Sequence, residues 1–286
     1  MTGEAPQSGE QAAEAMREAA EEGLTSAAGT VGKGLLDWLA EVGTVSRFLA
    51  RFNGKLHRAP RRGNNLVLAQ MVAIGIDSIP LVLITSLFVG AVAAVQAAYQ
   101  MQDYIPLRFI ATVVGKSVVI ELGPVLTALV VAGRVGASIA AELGTMRVTE
   151  QIDAMEAMAI DPIEYLVVPR VIAGLVMMPV LTVFADALAI FGSYVVATLA
   201  IGVGHQDFVN GLRMYFNAHD VIGGLVKALV FGYVIASMGC YYGFETQGGA
   251  EGVGRATTKA VVASSVLILI SDYILAAVIF RAIFGA

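Results

Sequence analysis

Among the ionisable residues that lie within otherwise apolar stretches are Glu121, Asp186, Lys227 and Asp272. A charge inside a bilayer costs about 2.5–3.5 kcal/mol on insertion scales, so each of these groups is a candidate for chemistry. Glu121 is the strongest. It stands beside Gly123-Pro124, which loosen a helix locally. A carboxylate there could line a cavity and meet a polar headgroup or a cation. It could equally be held in a structural ion pair by Lys116 or Lys227. Asp186 and Asp272 read as structural groups that pair with Lys227 or accept hydrogen bonds from Ser and Thr hydroxyls.

Several catalytic chemistries are excluded. Gly115-Lys116-Ser117 ends like a phosphate-binding loop, but position 110 is Ile where that motif needs Gly, and the triplet opens an apolar run. The glycine-rich run 248–254 follows no strand, so it is no phosphate cradle. Neither Asp186 nor Asp272 has the Gly-x-Gly-Asp context of an intramembrane aspartyl protease. His57, His205 and His219 fall outside the apolar runs and lack metal-ligand spacing. No catalytic residue, cofactor, metal or nucleic-acid partner is expected.

The segment 121–169 changes character along its length. It starts as an apolar run with a carboxylate. It continues through Gly133, Gly136, Ala137, Ala140, Ala141 and Gly144, small residues whose spacing favours close helix packing. Residues 145–160 then read as an amphipathic helix. Met146, Ile152, Met155 and Met158 or Ala159 mark an apolar side, and Arg147, Glu150, Asp153 and Glu156 a polar one. Thr149 is the expected N-cap, and Pro162 blocks continuation. Methionine-rich faces suit adaptable protein contacts.

The elements that must position these residues follow from composition. Of 286 residues, 57% are hydrophobic and 14% charged, and the mean hydropathy is +0.75. A soluble domain carries about 25% charged residues, so an all-α polytopic membrane protein is expected. Five apolar runs are each long enough for a span of about 20 residues: 66–101 (with Asp77), 117–145 (with Glu121, Arg134 and Glu142), 171–204, 221–244 and 260–280. The first and third are over-long and contain Pro80 and Pro179, which predicts a kink or an extra segment before the span proper.

Residues 1–30 hold six acids against Arg17 and read as a flexible acidic tail. Residues 31–62 read as an amphipathic helix lying in the membrane interface, followed by a basic segment. Leu35, Trp38, Leu39, Val42, Val45, Phe48, Leu49 and Phe52 form its apolar stripe. Residues 63–286 form the transmembrane domain. The basic cluster Arg47, Arg51, Lys55, Arg58, Arg61 and Arg62 predicts a cytoplasmic N-terminus, and five spans then put the C-terminus outside. The loops 102–112 and 205–220 are expected outside, and 145–170 and the glycine-rich loop 243–259 inside. Cys240 stands alone, so no intrachain disulfide forms.

The run ELGPVLTALVVAGRVGASIAAELGTMRVTEQIDAMEAMAIDPIEYLVVPR (121–170) resembles the signature of the MlaE/YrbE permease family. So do LFVGAVAAVQ (87–96), GVGRATTKAVVASS (252–265) and SDYILAAVIF (271–280). The resemblance covers residues from about 30 onward. It implies an N-terminal interfacial helix, five spans and a cytoplasmic coupling helix between the second and third. It implies a permease of an ABC transporter that moves phospholipid or a related lipid between the inner and outer membranes of bacteria, with the chain in the inner membrane. The implied partners are a second copy of the chain, a separate ATPase, an MCE-domain substrate-binding protein and, often, a STAS-domain protein. Relatives in Mce systems import sterols or other lipids.

Carried over by residue, the resemblance assigns Glu121, Gln96 and Tyr104 to a lipid cavity, with Leu122, Val92 and Ala93 as apolar neighbours for acyl chains. Arg147, Glu150, Asp153, Met155, Glu156 and Met158 fall in the ATPase-coupling segment. One departure stands out: Ile120 replaces the Arg that precedes the acid in the best-known members, which leaves Lys116 as the expected partner of Glu121. A reading from another class is an ion-coupled carrier with a Glu121–Asp186–Asp272 relay. Inverted repeats would favour it, and none is visible.

Overall fold

The computed structural model describes residue 36 and residues 39–55, 64–101, 106, 109–214 and 217–284. The chain divides into two units, 1–51 and 52–286. In the first, residues 39–51 are helical, and Leu39 and Val42 are exposed. Trp38 and Tyr104, the acidic tail and the Arg58–Arg62 cluster lie outside the described residues.

The second unit is helical throughout, with no strand among the described residues. Five helical runs are long and apolar enough to cross a membrane: Asn65–Met101, Ile110–Val148, Ile163–Leu199, Ala218–Phe244 and Gly249–Ile279. The protein is therefore an all-α, multi-pass membrane protein, as its composition predicts. The first run is two pieces. Asn64–Ile74 ends at a 3-10 turn, Ile76–Ser78, and Ile79–Met101 follows with Pro80 in its first turn. Those 23 residues rise about 35 Å at about 1.5 Å each, enough to span alone. Pro179, by contrast, sits inside the unbroken helix Val168–Leu199.

Close helix crossings hold this unit together. Gly90 in the first span faces the backbone of Ala189 in the third, and Gly192 faces the carbonyl of Leu87; a Cβ built on either glycine would meet that backbone at 1.8 and 2.2 Å. Lipid is as apolar as Leu, so such packing, rather than expulsion from water, joins the helices. The small-residue run is used within the subunit at Gly136, which packs against Ile235, and at Gly144, which packs on Thr246. A Cβ on Gly133 would meet nothing within 4 Å.

Three π turns interrupt the second and third spans, at Val118–Leu122, Ala132–Gly136 and Ile163–Val167. The first carries Glu121 and the second Arg134, so two of the ionisable residues of the second span sit on widened turns.

Four local expectations are corrected. Residues 145–160 are not one helix. The second span runs on to Val148, Glu150 turns the chain with φ 60°, and a separate helix Gln151–Ala157 follows. Thr149 does not cap it. Its hydroxyl donates back to the Thr145 carbonyl at 2.8 Å, a local bond that Thr readily makes within a helix. The glycine-rich segment 243–259 is not a long loop. Only Gly248 and Gly249 take left-handed φ (88° and 67°), and the helix of the fifth span begins at Gly249. The stretch 205–220 holds a short helix, His205–Met214.

The crossing geometry gives a direct test. Gly192→Val would drive a branched side chain into the Leu87 carbonyl, an overpacking that costs about 1–3 kcal/mol or more. Gly133→Ala meets open space. Thermal unfolding of the purified chain in detergent is expected to fall by several degrees for the first and to stay within error for the second.

Candidate functional site

Lys227 is the residue on which the intramembrane charges converge. It sits in the fourth span and is 1% exposed. Its Nζ lies 2.6 Å from Oε1 of Glu121 in the second span and 2.9 Å from Oδ1 of Asp272 in the fifth. Neither contact has the direction of a good hydrogen bond, so the attraction is chiefly ionic. Three helices are tied at one point. Two local features bring them there. The π turn at Val118–Leu122 widens the second span at Glu121. Gly224, one turn before Lys227, lets the fourth span approach the Val119 carbonyl, which a Cβ would meet at 2.3 Å. The cluster holds two carboxylates against one ammonium. Asp272 is 20% exposed and Glu121 42%, so Glu121 keeps an open side.

This corrects the expected partner. Lys116 pairs with Asp220 at 3.3 Å instead, making a second bridge between the second and fourth spans. Glu121 sits on the π turn and meets Lys227 of the fourth span, while Lys116, in the last turn of the helix before that π turn, meets Asp220 in the first turn of the fourth span's helix. Asp272 pairs with Lys227 as one of the sequence readings has it, but Asp186 does not. Its Oδ1 is buried against Gly123 and has no hydrogen-bond partner. The structure thus brings together Glu121 and Asp272 but leaves Asp186 outside the cluster.

The other expected cavity residues scatter. Gln96 and Val92 are exposed on one face of the first span, and no hydrogen bond or ion pair joins Gln96 to Glu121 among the described residues. Ala93 and Leu122 are partly buried and pack against one core that includes Ala97, Ile110 and Val118. Leu122 also lines a cavity of about 390 Å³ between the first three spans, with Thr85, Phe88, Leu126 and the buried Ser86 and Thr127. Sequence reading did not find this cavity, because apolar and hydroxyl residues from three separate runs form it.

Of the expected coupling residues, Arg147 and Asp153 form an ion pair that clamps the turn at Glu150. Ile152 is buried, Met155 half-buried, and Glu150, Glu156 and Met158 are exposed, Met158 by 64%. Asp161 opens the third span. Its Oδ1 accepts from the backbone N–H of Ile163 at 3.0 Å, and its other oxygen takes Lys55. Burial pushes its pKa up, but the Lys55 bond and the backbone donors outweigh this and hold it below the usual value. Further pairs went unforeseen. Arg170, 4% exposed, meets Glu142 at 2.8 Å, and Arg134 reaches Ser78, the Ala73 carbonyl and Asp77. No group of three or more His, Cys, Asp or Glu residues could hold a metal among the described residues.

Comparison with known proteins places this architecture. Residues 67–278 match the family model described as Permease MlaE. A probable ABC transporter permease protein of Rickettsia felis is 44% identical over 258 residues, covering 90% of this chain and 99% of the relative. The intermembrane phospholipid transport system permease protein MlaE of Haemophilus influenzae is 32% identical over 255 residues, covering 88% and 97%. Protein TRIGALACTOSYLDIACYLGLYCEROL 1, chloroplastic, of Arabidopsis thaliana is 36% identical over 214 residues, covering 75% and 61%. With its five apolar helices and a match across most of its length, the chain belongs to the MlaE permease family.

Proposed function

We propose that this permease moves phospholipid or a related lipid between the two membranes of a bacterial envelope, as one of two copies in a complex driven by a separate ATPase and served by an MCE-domain protein. A STAS-domain protein is a further candidate partner. The observation that carries this reading is the Lys227 cluster, a charged knot in the membrane whose Glu121 edge stays open. The name of the Haemophilus influenzae relative, an intermembrane phospholipid transport permease, supports the class of substrate.

The chain lies in the inner membrane with its N-terminus in the cytoplasm and its C-terminus outside. The first and fifth spans are the least covered, 28% and 11% buried. A lipid is too large for five helices to enclose, so the cavity lies between two copies, bordered by these spans. Gln96, with Val92, Ala93 and Leu122, then approaches Glu121 from the shared side, and Tyr104 is a further candidate for that cavity. Entry from the bilayer changes the surroundings of acyl chains little, because lipid is already in hydrocarbon. Selectivity comes from the headgroup and the cavity shape. The helix Gln151–Ala157 is the coupling helix, with Met155 and Met158 as anchors and Arg147, Glu150, Asp153 and Glu156 around them. Reading the protein as a carrier with a Glu121–Asp186–Asp272 relay loses support, since Asp186 has no ion partner among the described residues.

Four outcomes follow. Glu121→Gln leaves Lys227 paired with Asp272, so the complex assembles, while ATP-driven lipid transfer between proteoliposomes drops by about tenfold or more; Lys227→Met leaves Glu121 and Asp272 without their shared counterion, read as lost folded yield, with partial recovery in the triple variant Lys227→Met, Glu121→Gln, Asp272→Asn. The double variant Glu150→Lys, Glu156→Lys releases the ATPase on affinity purification; full recruitment and transport would refute the coupling assignment. Mass measurement of the intact complex gives two copies of this chain, and one copy in an active complex would refute the shared cavity.

A further inference from the structure

The charges of the second span divide by depth. Lys116 and Arg134 are 18 residues apart, about 27 Å along a helix at about 1.5 Å per residue, close to the bilayer's hydrocarbon thickness of about 30 Å. If Lys116 marks the outer edge of the hydrocarbon, Arg134 marks the inner edge, and Glu142, two turns further on, lies among the inner headgroups. A second cavity opens at that level. It holds about 90 Å³, lies between the Asn64–Ile74 helix and the second span, and is lined by Gln70, Arg134, Ser138 and Glu142. It is remote in sequence and depth from the Lys227 cluster.

The chemistry of its walls is two-signed. Arg134 is fixed from behind. Its Nη1 donates to the Ser78 hydroxyl at 2.5 Å and to the Ala73 carbonyl at 3.2 Å, both at the break between the two pieces of the first span. Its Nη2 lies 3.9 Å from Asp77, too far for a hydrogen bond. A guanidinium held in this way presents remaining donors in a fixed fork, which suits a phosphate. Glu142 gives one oxygen to the buried Arg170 at 2.8 Å and is still 55% exposed, so its other oxygen can accept from an ammonium. Ser138 lies one turn from each, and Gln70 adds an amide opposite. The cavity is far too small for acyl chains. The same first-span segment exposes Leu68, Val72 and Ile76, an apolar strip against which chains can lie.

We infer that this cavity binds the headgroup of a zwitterionic phospholipid of the inner leaflet, its phosphate on Arg134 and its primary ammonium on Glu142. The inference rests on the lipid-transport reading for its biological use, but the site's existence can be tested without it. A primary ammonium has three donors for Glu142, Ser138 and Gln70. A trimethylammonium has none, and a glycerol headgroup has no positive charge. The site therefore ranks phosphatidylethanolamine above phosphatidylcholine and phosphatidylglycerol.

The experiment is native mass spectrometry of the full chain in mild detergent, titrated with each of the three lipids, without ATP or partners. The wild type is expected to retain phosphatidylethanolamine preferentially. Glu142→Gln should lower that preference about tenfold, the loss expected for one charge-assisted contact. Ser138→Leu, which fills the cavity and breaks no ion pair, should do the same while leaving thermal stability intact, and so covers the case in which loss of Glu142 disturbs Arg170. Equal lipid ranking in wild type and both variants would overturn the inference. So would a phosphate-only pattern, in which Arg134→Gln weakens all three lipids equally and Glu142→Gln changes nothing. If the ranking holds but ATP-driven transfer never occurs, the headgroup site stands and the transport reading falls.

Discussion

A buried ammonium without a counterion cannot persist in hydrocarbon, and the architecture of this permease follows from meeting that constraint at Lys227. Its side chain is 1% exposed and is met by two carboxylates from two other spans. Breaking such a pair is far more costly than never having it, so the second, fourth and fifth spans are locked at one depth and one rotation. Local departures from ideal helix serve this lock. The π turn offsets Glu121 toward Lys227, and Gly224 removes the Cβ that would hold the fourth span away. The fifth span, little covered elsewhere, is fixed to the rest in part by Asp272.

The remaining intramembrane charges obey the same rule with different partners. Lys116 takes Asp220, Arg170 takes Glu142, and Arg134 takes a hydroxyl and a carbonyl at a helix break. Asp186 is the exception. Its buried oxygen has no partner and it lies beside Gly123, the residue that follows the π turn.

Much of this was legible in the sequence. Five apolar runs longer than a bilayer leave little alternative to five spans, and Glu121 announced itself as an acid in one of them. The partner of Glu121 was not legible, because proximity in sequence pointed to Lys116 while Lys227 comes from the fourth span, which only packing brings alongside. Thr149 looked like a cap, but its hydroxyl can bond to the carbonyl four residues back, and here it does. The segment 243–259 looked like a loop because of its glycines, yet only Gly248 and Gly249 need the left-handed conformation and the others continue a helix. The cavity beside Leu122 and the pocket lined by Gln70, Arg134 and Glu142 draw walls from separate runs, and only the packed structure brings those walls together.

The central claim is that the open side of Glu121 faces a lipid cavity shared by two copies and reshaped by ATP. A photoreactive amino acid placed at Gln96 in the assembled transporter, with Val183 on the third span (51% exposed) as a bilayer-facing control, tests it most directly. The account requires phospholipid adducts at both positions, with the yield at 96 alone falling when ATP is turned over. Adducts at 96 that track those at 183 in every nucleotide state would mean that this face meets only bulk lipid, and would contradict it.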